Sequence, residues 1–166
     1  FDLVIKAFFL LDNKNRYQLI IGGDGPEKIH LQQLTADLCL DNFVLFTGWV
    51  NKQKMADFFN QAKIFVFPKW WQEYGSVILT EAMAHGLPCI VPDGGALVWL
   101  AKGGALAFHK DNPEDLARQI ERLANDRKLS INLGVQGLAR AKELSSGKLS
   151  QRLEMILLSA VKSPKA

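Results

Sequence analysis

Short apolar runs and longer amphipathic stretches alternate along this chain. Residues 1–9, Phe-Asp-Leu-Val-Ile-Lys-Ala-Phe-Phe, carry apolar side chains at helical spacing. Tyr17-Gln18-Leu19-Ile20-Ile21 is a compact β-branched run that stops at Gly22-Gly23-Asp24-Gly25-Pro26, the pattern of a buried strand ended by a turn. Pro26 suits the first turn of a helix that places Ile29, Leu31, Leu34 and Leu38 among polar residues. Residues 43–46 form a second strand closed by Gly48, and Asn51 can cap a helix containing Met55, Phe58 and Phe59. Residues 64–67 form a third strand, stopped by Pro68.

A loop over 69–74 leads into a helix that starts at Gly75 or Ser76 and runs to His85, where Gly86 and Pro88 supply the stop. Cys89-Ile90-Val91 is the fourth strand. Asp93-Gly94-Gly95 then turns into a short helix, and Leu106-Ala107-Phe108 is a last strand. From Pro113 onward the pattern is helical, through Leu116, Ile120 and Leu123, then 129–144, then 149–161. Strands of four or five residues, nearly all apolar and separated by helices, predict a parallel sheet covered on both faces. The expected fold is therefore α/β: one Rossmann-like, doubly wound domain over residues 1–166, with helices at the C-terminus covering the sheet. In such sheets ligands sit beyond the carboxyl ends of the strands. The loops after Ile21, Phe46, Phe67 and Val91 share that edge.

Composition narrows the class. The chain has 166 residues, 48% apolar and 22% charged, which suits a globular domain with a real core. Its net charge is +3, with basic and acidic residues interspersed, so nucleic acid is not an expected partner. The slight basic bias suits an anionic small molecule or a membrane surface without selecting either. Cys39 and Cys89 lie far apart in apolar segments and read as buried free thiols in a reducing cytoplasm. No stretch approaches the ~20 apolar residues of a membrane span. The chain opens on the apolar run without Met or signal peptide, and we read it as a piece of a longer polypeptide.

The candidate chemistry is concentrated between Pro68 and Pro92. The helix from Ser76 is nearly all apolar or small, so it looks buried around most of its circumference, yet Glu81 sits in its second turn. A buried carboxylate needs hydrogen bonds or a cation. A sugar diol can donate to both oxygens; pairing with a Lys or Arg is the equal alternative. Glu73 precedes the helix on the ligand edge, with solvation as its plain reading. Gly75 lets a ligand approach the backbone. The amides of Ser76, Val77 and Ile78 have no partner inside the helix and form a ready diphosphate site, unless Ser76 serves only as a cap. Trp70 and Trp71 lie near Glu73, where an indole could stack on a sugar ring or pack against protein. His85 and His109 have no matching base or carboxylate in sequence, His30 lies on a helix among polar neighbours, and none of the three is assigned a catalytic role.

This segment resembles the hallmark of the group 1 (family 4) GT-B retaining glycosyltransferases, Pro-Ser-x-x-Glu-x-Phe-Gly-x-x-x-x-Glu-Ala-Met-Ala-x-Gly-x-Pro. Glu73 and Glu81 match its Glu-x7-Glu spacing, and Glu81-Ala82-Met83-Ala84 through Gly86 and Pro88 matches residue for residue. Gly22 to Pro26 resembles the family's Gly-x-Gly-Pro, and Val44-Leu45-Phe46-Thr47-Gly48-Trp49-Val50 resembles Val-x-Phe-x-Gly-x-Val. Gly94-Gly95 resembles its paired glycines. The resemblance covers roughly residues 1–145 and rests on a motif far longer than a lone Gly-x-Gly-x-x-Gly.

The resemblance implies that the chain is the C-terminal, donor-binding half of a GT-B enzyme, without the first strand and the acceptor-binding N-terminal domain. It places Glu73 on hydroxyls of the transferred sugar, as the catalytic residue, and Glu81 on the ribose. The backbone of Tyr74, Gly75, Ser76 and Val77 would hold the diphosphate, Trp49 and Val50 would border the base, and Gly22-Gly23 would lie where the nucleotide passes. The donor would be an NDP-sugar, UDP-sugar by frequency in the family. The acceptor would be a glycan or lipid-linked sugar bound through the N-terminal domain, in polysaccharide biosynthesis, by a cytoplasmic enzyme compatible with peripheral attachment to the membrane face. No cofactor and no metal are expected. The departures matter. The Arg and Lys that neutralise the leaving diphosphate would precede Phe1, Lys69 and Tyr74 replace Ser and Phe, and Val98 stands where a Glu is common. The chain should therefore bind donor without turning over well alone. An epimerase or dehydrogenase would need Gly-x-Gly-x-x-Gly at its first turn, which Gly22-Gly23-Asp24-Gly25 does not provide. An inactive nucleotide- or sugar-binding module is the other rival.

Overall fold

The computed structural model describes residues 1–68 and 75–162. In chain order the elements are α1 (Asp2–Phe9), a 3₁₀ turn (Lys14–Arg16), β1 (Leu19–Gly22), α2 (Lys28–Asp37), β2 (Val44–Gly48), α3 (Lys52–Gln61) and β3 (Phe65–Val66). They continue with α4 (Val77–Ala84), β4 (Cys89–Pro92), α5 (Gly95–Ala101), β5 (Ala105–Phe108), α6 (Pro113–Asn125), α7 (Arg127–Glu143) and α8 (Ser146–Lys162). The alternation and its strand positions follow the hydrophobic pattern. Pro26 stays in the turn ahead of α2 rather than inside its first turn.

All the strand ladders are parallel, and they form two pieces. β1 pairs with β2, while β3, β4 and β5 are joined in that order. Among the described residues no ladder joins the two pieces. β4 is central in the larger piece and buried on both faces, its side chains alternating between two cores. Ile90 faces a core built with Val4, Ile5 and Phe8 of α1 and Leu116 of α6. Cys89 and Val91 face the other, with Leu79 and Met83 of α4 and Leu97 of α5. The smaller piece is covered on one face only. Ile21 and Val44 enter the first core, whereas Ile20 and Leu45, paired across the ladder, are exposed. The expectation of cover on both faces therefore holds for β4 and fails for β1 and β2.

Two further expectations are corrected. Helix α8 does not cover the sheet: Leu149, Leu153, Ile156 and Leu157 are all exposed along it. Cys39 is exposed, because it follows α2 with a left-handed backbone (φ 54°) that turns it out of the apolar stripe, while Cys89 is buried as expected. Burial pushes the Cys89 thiol up to about 12.

The position of α4 is set by α7. A Cβ at Gly134 would lie 2.3 Å from the Gly86 carbonyl oxygen, so only glycine lets α7 press on the turn between α4 and β4. Gly86 itself has φ 71°, the left-handed conformation that ends a helix.

Candidate functional site at the carboxyl edge

Each strand delivers its following loop to the carboxyl edge, and two groups of residues gather there. The first lies beyond β1 and β2. The Gly23 amide donates to the Gly48 carbonyl at 2.9 Å, and the Thr47 hydroxyl donates to the Ile21 carbonyl at 3.4 Å. These bonds stitch Gly22-Gly23 to the segment carrying Trp49 and Val50, whose Cγ2 lies 3.6 Å from where a Gly22 Cβ would stand. Gly23 has φ 119°, a conformation that side chains disfavour. Trp49 is 85% exposed at the rim, and Lys28 pairs with Asp24 at 3.5 Å beside it. Four of the expected nucleotide-side residues, Gly22, Gly23, Trp49 and Val50, thus share one place.

The second group is the start of α4. Ser76 is buried and caps the helix, its Oγ accepting from the Leu79 amide at 3.3 Å. The cap settles one of the open donors, and helix geometry leaves the amides of Val77 and Ile78 without partners inside the helix. Gly75 and Val77 are exposed, and nothing lies within 4 Å of a Cβ built on Gly75. The backbone is therefore open where a diphosphate would need it.

Helix α4 is buried on one face rather than most of its circumference, since Leu79, Ala82 and Met83 are covered while Val77 and Ala84 are exposed. Glu81 lies between those two at i+4 and i+7 spacing, partly buried on the open face. Among the described residues its carboxylate has neither an ion pair nor a hydrogen bond, so the Lys or Arg partner is not found there. Glu73, Tyr74, Trp70 and Trp71 lie outside the described residues.

A third constellation was not foreseen. Asp93, just after β4, and His109, just after β5, meet with Nδ1 and Oδ2 2.6 Å apart. The Lys110 amide donates to the other Asp93 oxygen at 2.9 Å, and the Asp93 amide donates to the Phe108 carbonyl at 2.7 Å. The Lys110 amide first, and then the imidazole, hold the Asp93 carboxyl below the usual carboxylate range. The strand register, not the sequence, brings the pair together: Pro92 pairs with Phe108 in parallel, so the next residue of each strand lies side by side. His85 has a milder role, its Nδ1 2.9 Å from the side-chain Oδ1 of Asn60 and its ring against Phe59.

Comparison with known proteins identifies the family and the fold. The family profile described as "Glycosyl transferases group 1" matches residues 1–140. A D-inositol 3-phosphate glycosyltransferase of Streptomyces griseus is 31% identical over 153 residues, covering 85% of this chain and 32% of that protein. The chain spans about a third of the length of such curated relatives. Anabaena HepE in complex with UDP-glucose superimposes with a TM-score of 0.83 at 19% identity, covering 95% of this chain and 44% of that one. The C-terminal domain of a group 1 glycosyl transferase of Francisella tularensis gives a TM-score of 0.74 at 19% identity, covering 85% of this chain and 76% of that one. These structures share the Rossmann-like domain of the GT-B fold.

Proposed function

Because this chain belongs to the group 1 glycosyltransferases, we propose that it is the donor-binding domain of a retaining enzyme that transfers a sugar from an NDP-sugar, UDP-sugar by preference. The observation that carries the reading is the open start of α4 with Glu81 one turn behind it. The unpartnered amides face the edge where parallel strands end, with the helix dipole behind them, and they suit the diphosphate. Glu81, without a protein partner among the described residues, suits the ribose diol, whose two hydroxyls can donate to both carboxylate oxygens. Gly22-Gly23 and the Trp49-Val50 segment supply a stitched wall for the base.

Chemistry follows from charge placement. As the acceptor hydroxyl attacks the anomeric carbon from the side the diphosphate leaves, negative charge collects on the departing phosphate. Backbone donors fixed in advance stabilise that charge without reorganising. Glu73 is assigned to hydroxyls of the transferred sugar, and Tyr74 with Gly75, Ser76 and Val77 to the diphosphate. The acceptor, a glycan or lipid-linked sugar in polysaccharide biosynthesis, is assigned to a separate N-terminal domain. The superposition on a UDP-glucose complex supports a nucleotide-sugar donor. Among the described residues no helix is long and apolar enough to cross a membrane. The proposed location is the cytoplasm, with peripheral association at the cytoplasmic face of the membrane.

Calorimetric titration with UDP, GDP and ADP tests the proposal. UDP should bind with the tightest dissociation constant of the three. Failure of all three to bind at millimolar concentration would overturn it.

A further inference from the structure

β4 is the middle strand of its sheet, so the Gly94-Gly95 turn beyond it stands between two neighbours. On one side is the end of β3, which leads toward α4; on the other is the end of β5, which carries His109. Both glycines have positive φ, 117° and 64°, and nothing lies within 4 Å of a Cβ built on either. The turn is bare backbone at the ligand edge. On its far side Gly95 opens α5, whose Leu97 and Leu100 are buried, and on its near side it is held by Asp93. That residue is tied to the loop after β5 by the Phe108 carbonyl, the Lys110 amide and the His109 ring. His109 is largely exposed and belongs to neither core, so the contact does not serve packing. The loop it belongs to is anchored in turn by Asp115 of α6, which accepts from the His109 amide at 2.7 Å and is paired with Arg118.

We propose that Asp93 is a positioning residue for the donor sugar, orienting the Gly94-Gly95 turn against it, with His109 as its titratable partner. The inference rests on the donor-domain reading above and adds a residue pair to it. Asp93 at the end of β4 is the charged group that meets the ring; Lys110 and Asp111 follow it in the same loop, and Asp115, paired with Arg118 on α6, holds the His109 backbone amide. When the imidazole is protonated, it meets the Asp93 carboxylate as an ion pair. When it is neutral, only a hydrogen bond remains, and the turn is held less firmly.

The experiment follows the Gly94 and Gly95 backbone amide resonances of the full chain between pH 5 and 8, where imidazoles titrate. Those amides should shift together with the His109 ring signals, and the shift should vanish in His109→Gln. In parallel, affinities for UDP and UDP-glucose, or GDP and GDP-mannose if guanine is preferred, are measured in the same range. Asp93→Asn should reduce the gain in affinity that the sugar brings by roughly tenfold, leaving the free nucleotide unchanged. In the unmutated chain that gain should be larger at pH 5.5 than at pH 8, and His109→Gln should flatten the profile. Thermal unfolding of both variants confirms that they fold. Amide shifts that ignore pH, or that persist in His109→Gln, overturn the latch while nucleotide binding stands. So does a sugar increment untouched by Asp93→Asn. Absence of binding by every nucleotide overturns the donor-domain reading, and the sugar-positioning role with it.

Discussion

The Cα of Gly134 in α7 is seated so close to Gly86 that a methyl group there would stand 2.3 Å from the Gly86 carbonyl oxygen. The neighbour is backbone, fixed by the end of α4 and the start of β4, and it cannot swing aside. This contact is where α7 bears on the proposed donor site.

Gly134→Ala should therefore destabilise the chain by about 1–3 kcal/mol, the usual cost of forcing extra volume into a packed contact. Because α4 must move to relieve it, nucleotide affinity should fall as well. Gly147→Ala is the control: nothing lies within 4 Å of its Cβ, and it sits in α8. That change should be neutral or stabilising by up to ~1 kcal/mol. Urea denaturation of both variants checks the contrast, and equal midpoints would refute the argument.

The two thiols should differ sharply in reactivity. Cys39 is exposed, whereas Cys89 is buried with its pKa pushed up to about 12. The thiolate is the reactive form. At pH 8 a disulfide reagent such as dithiobis(nitrobenzoate) should therefore titrate one thiol in the native chain and two in denaturant. Cys39→Ser should abolish the native reaction. Rapid labelling of Cys89 in the folded state would contradict the packing of α4 on β4.

Strand positions and the α4 boundaries were readable from sequence because each rests on local signals: β-branched runs, Gly86 after a helix, Ser76 and Asn51 at N-caps. What could not be read was set by tertiary packing. The division of the sheet depends on which strands find each other, and the strands' shared apolar character says nothing about that. The exposure of Leu149, Leu153 and Ile156 is equally silent, since an amphipathic pattern marks a face without naming its cover. Cys39 sits amid apolar residues yet points outward because its φ is left-handed. The pairing of Asp93 with His109 spans sixteen positions and emerges only once β4 and β5 are neighbours.

Acid should loosen the chain through Asp115. Its carboxyl is held below the usual range, first by the His109 amide and then by Arg118 and Gln119 working against desolvation. A carboxyl with a depressed folded-state pKa adds stability above its unfolded value of ~3.9, and that stability is lost as pH falls through the lower, folded value. The wild-type chain should therefore lose this contribution below about pH 4. Asp115→Asn should be weaker at pH 7 by about 1–3 kcal/mol, from the donors left poorly satisfied, and should show a flatter acid limb. Denaturant midpoints at pH 7, 5, 4 and 3 report both effects. An acid limb as steep in Asp115→Asn as in the wild type would remove Asp115 from the account.

The two glutamates should separate by what they touch. Glu81 sits on the open face of α4 without a protein partner among the described residues, and it is assigned to the ribose that every donor nucleotide carries. Replacing it removes an acceptor for two hydroxyl donors, and hydrogen bonds to a charged group are each worth about 1.5–3 kcal/mol. Glu81→Ala should therefore weaken UDP binding at least about tenfold, since 1.4 kcal/mol corresponds to a factor of ten. Glu73 is assigned to the transferred sugar, so Glu73→Ala should leave free UDP affinity within about twofold and remove the advantage of UDP-sugar over UDP. Glu81→Gln keeps the shape and one acceptor, and should fall between wild type and Glu81→Ala. Calorimetry with UDP and UDP-glucose on the three variants measures each term. Loss of free UDP affinity to the same degree in Glu73→Ala and Glu81→Ala would show that the two carboxylates do not divide the donor in this way.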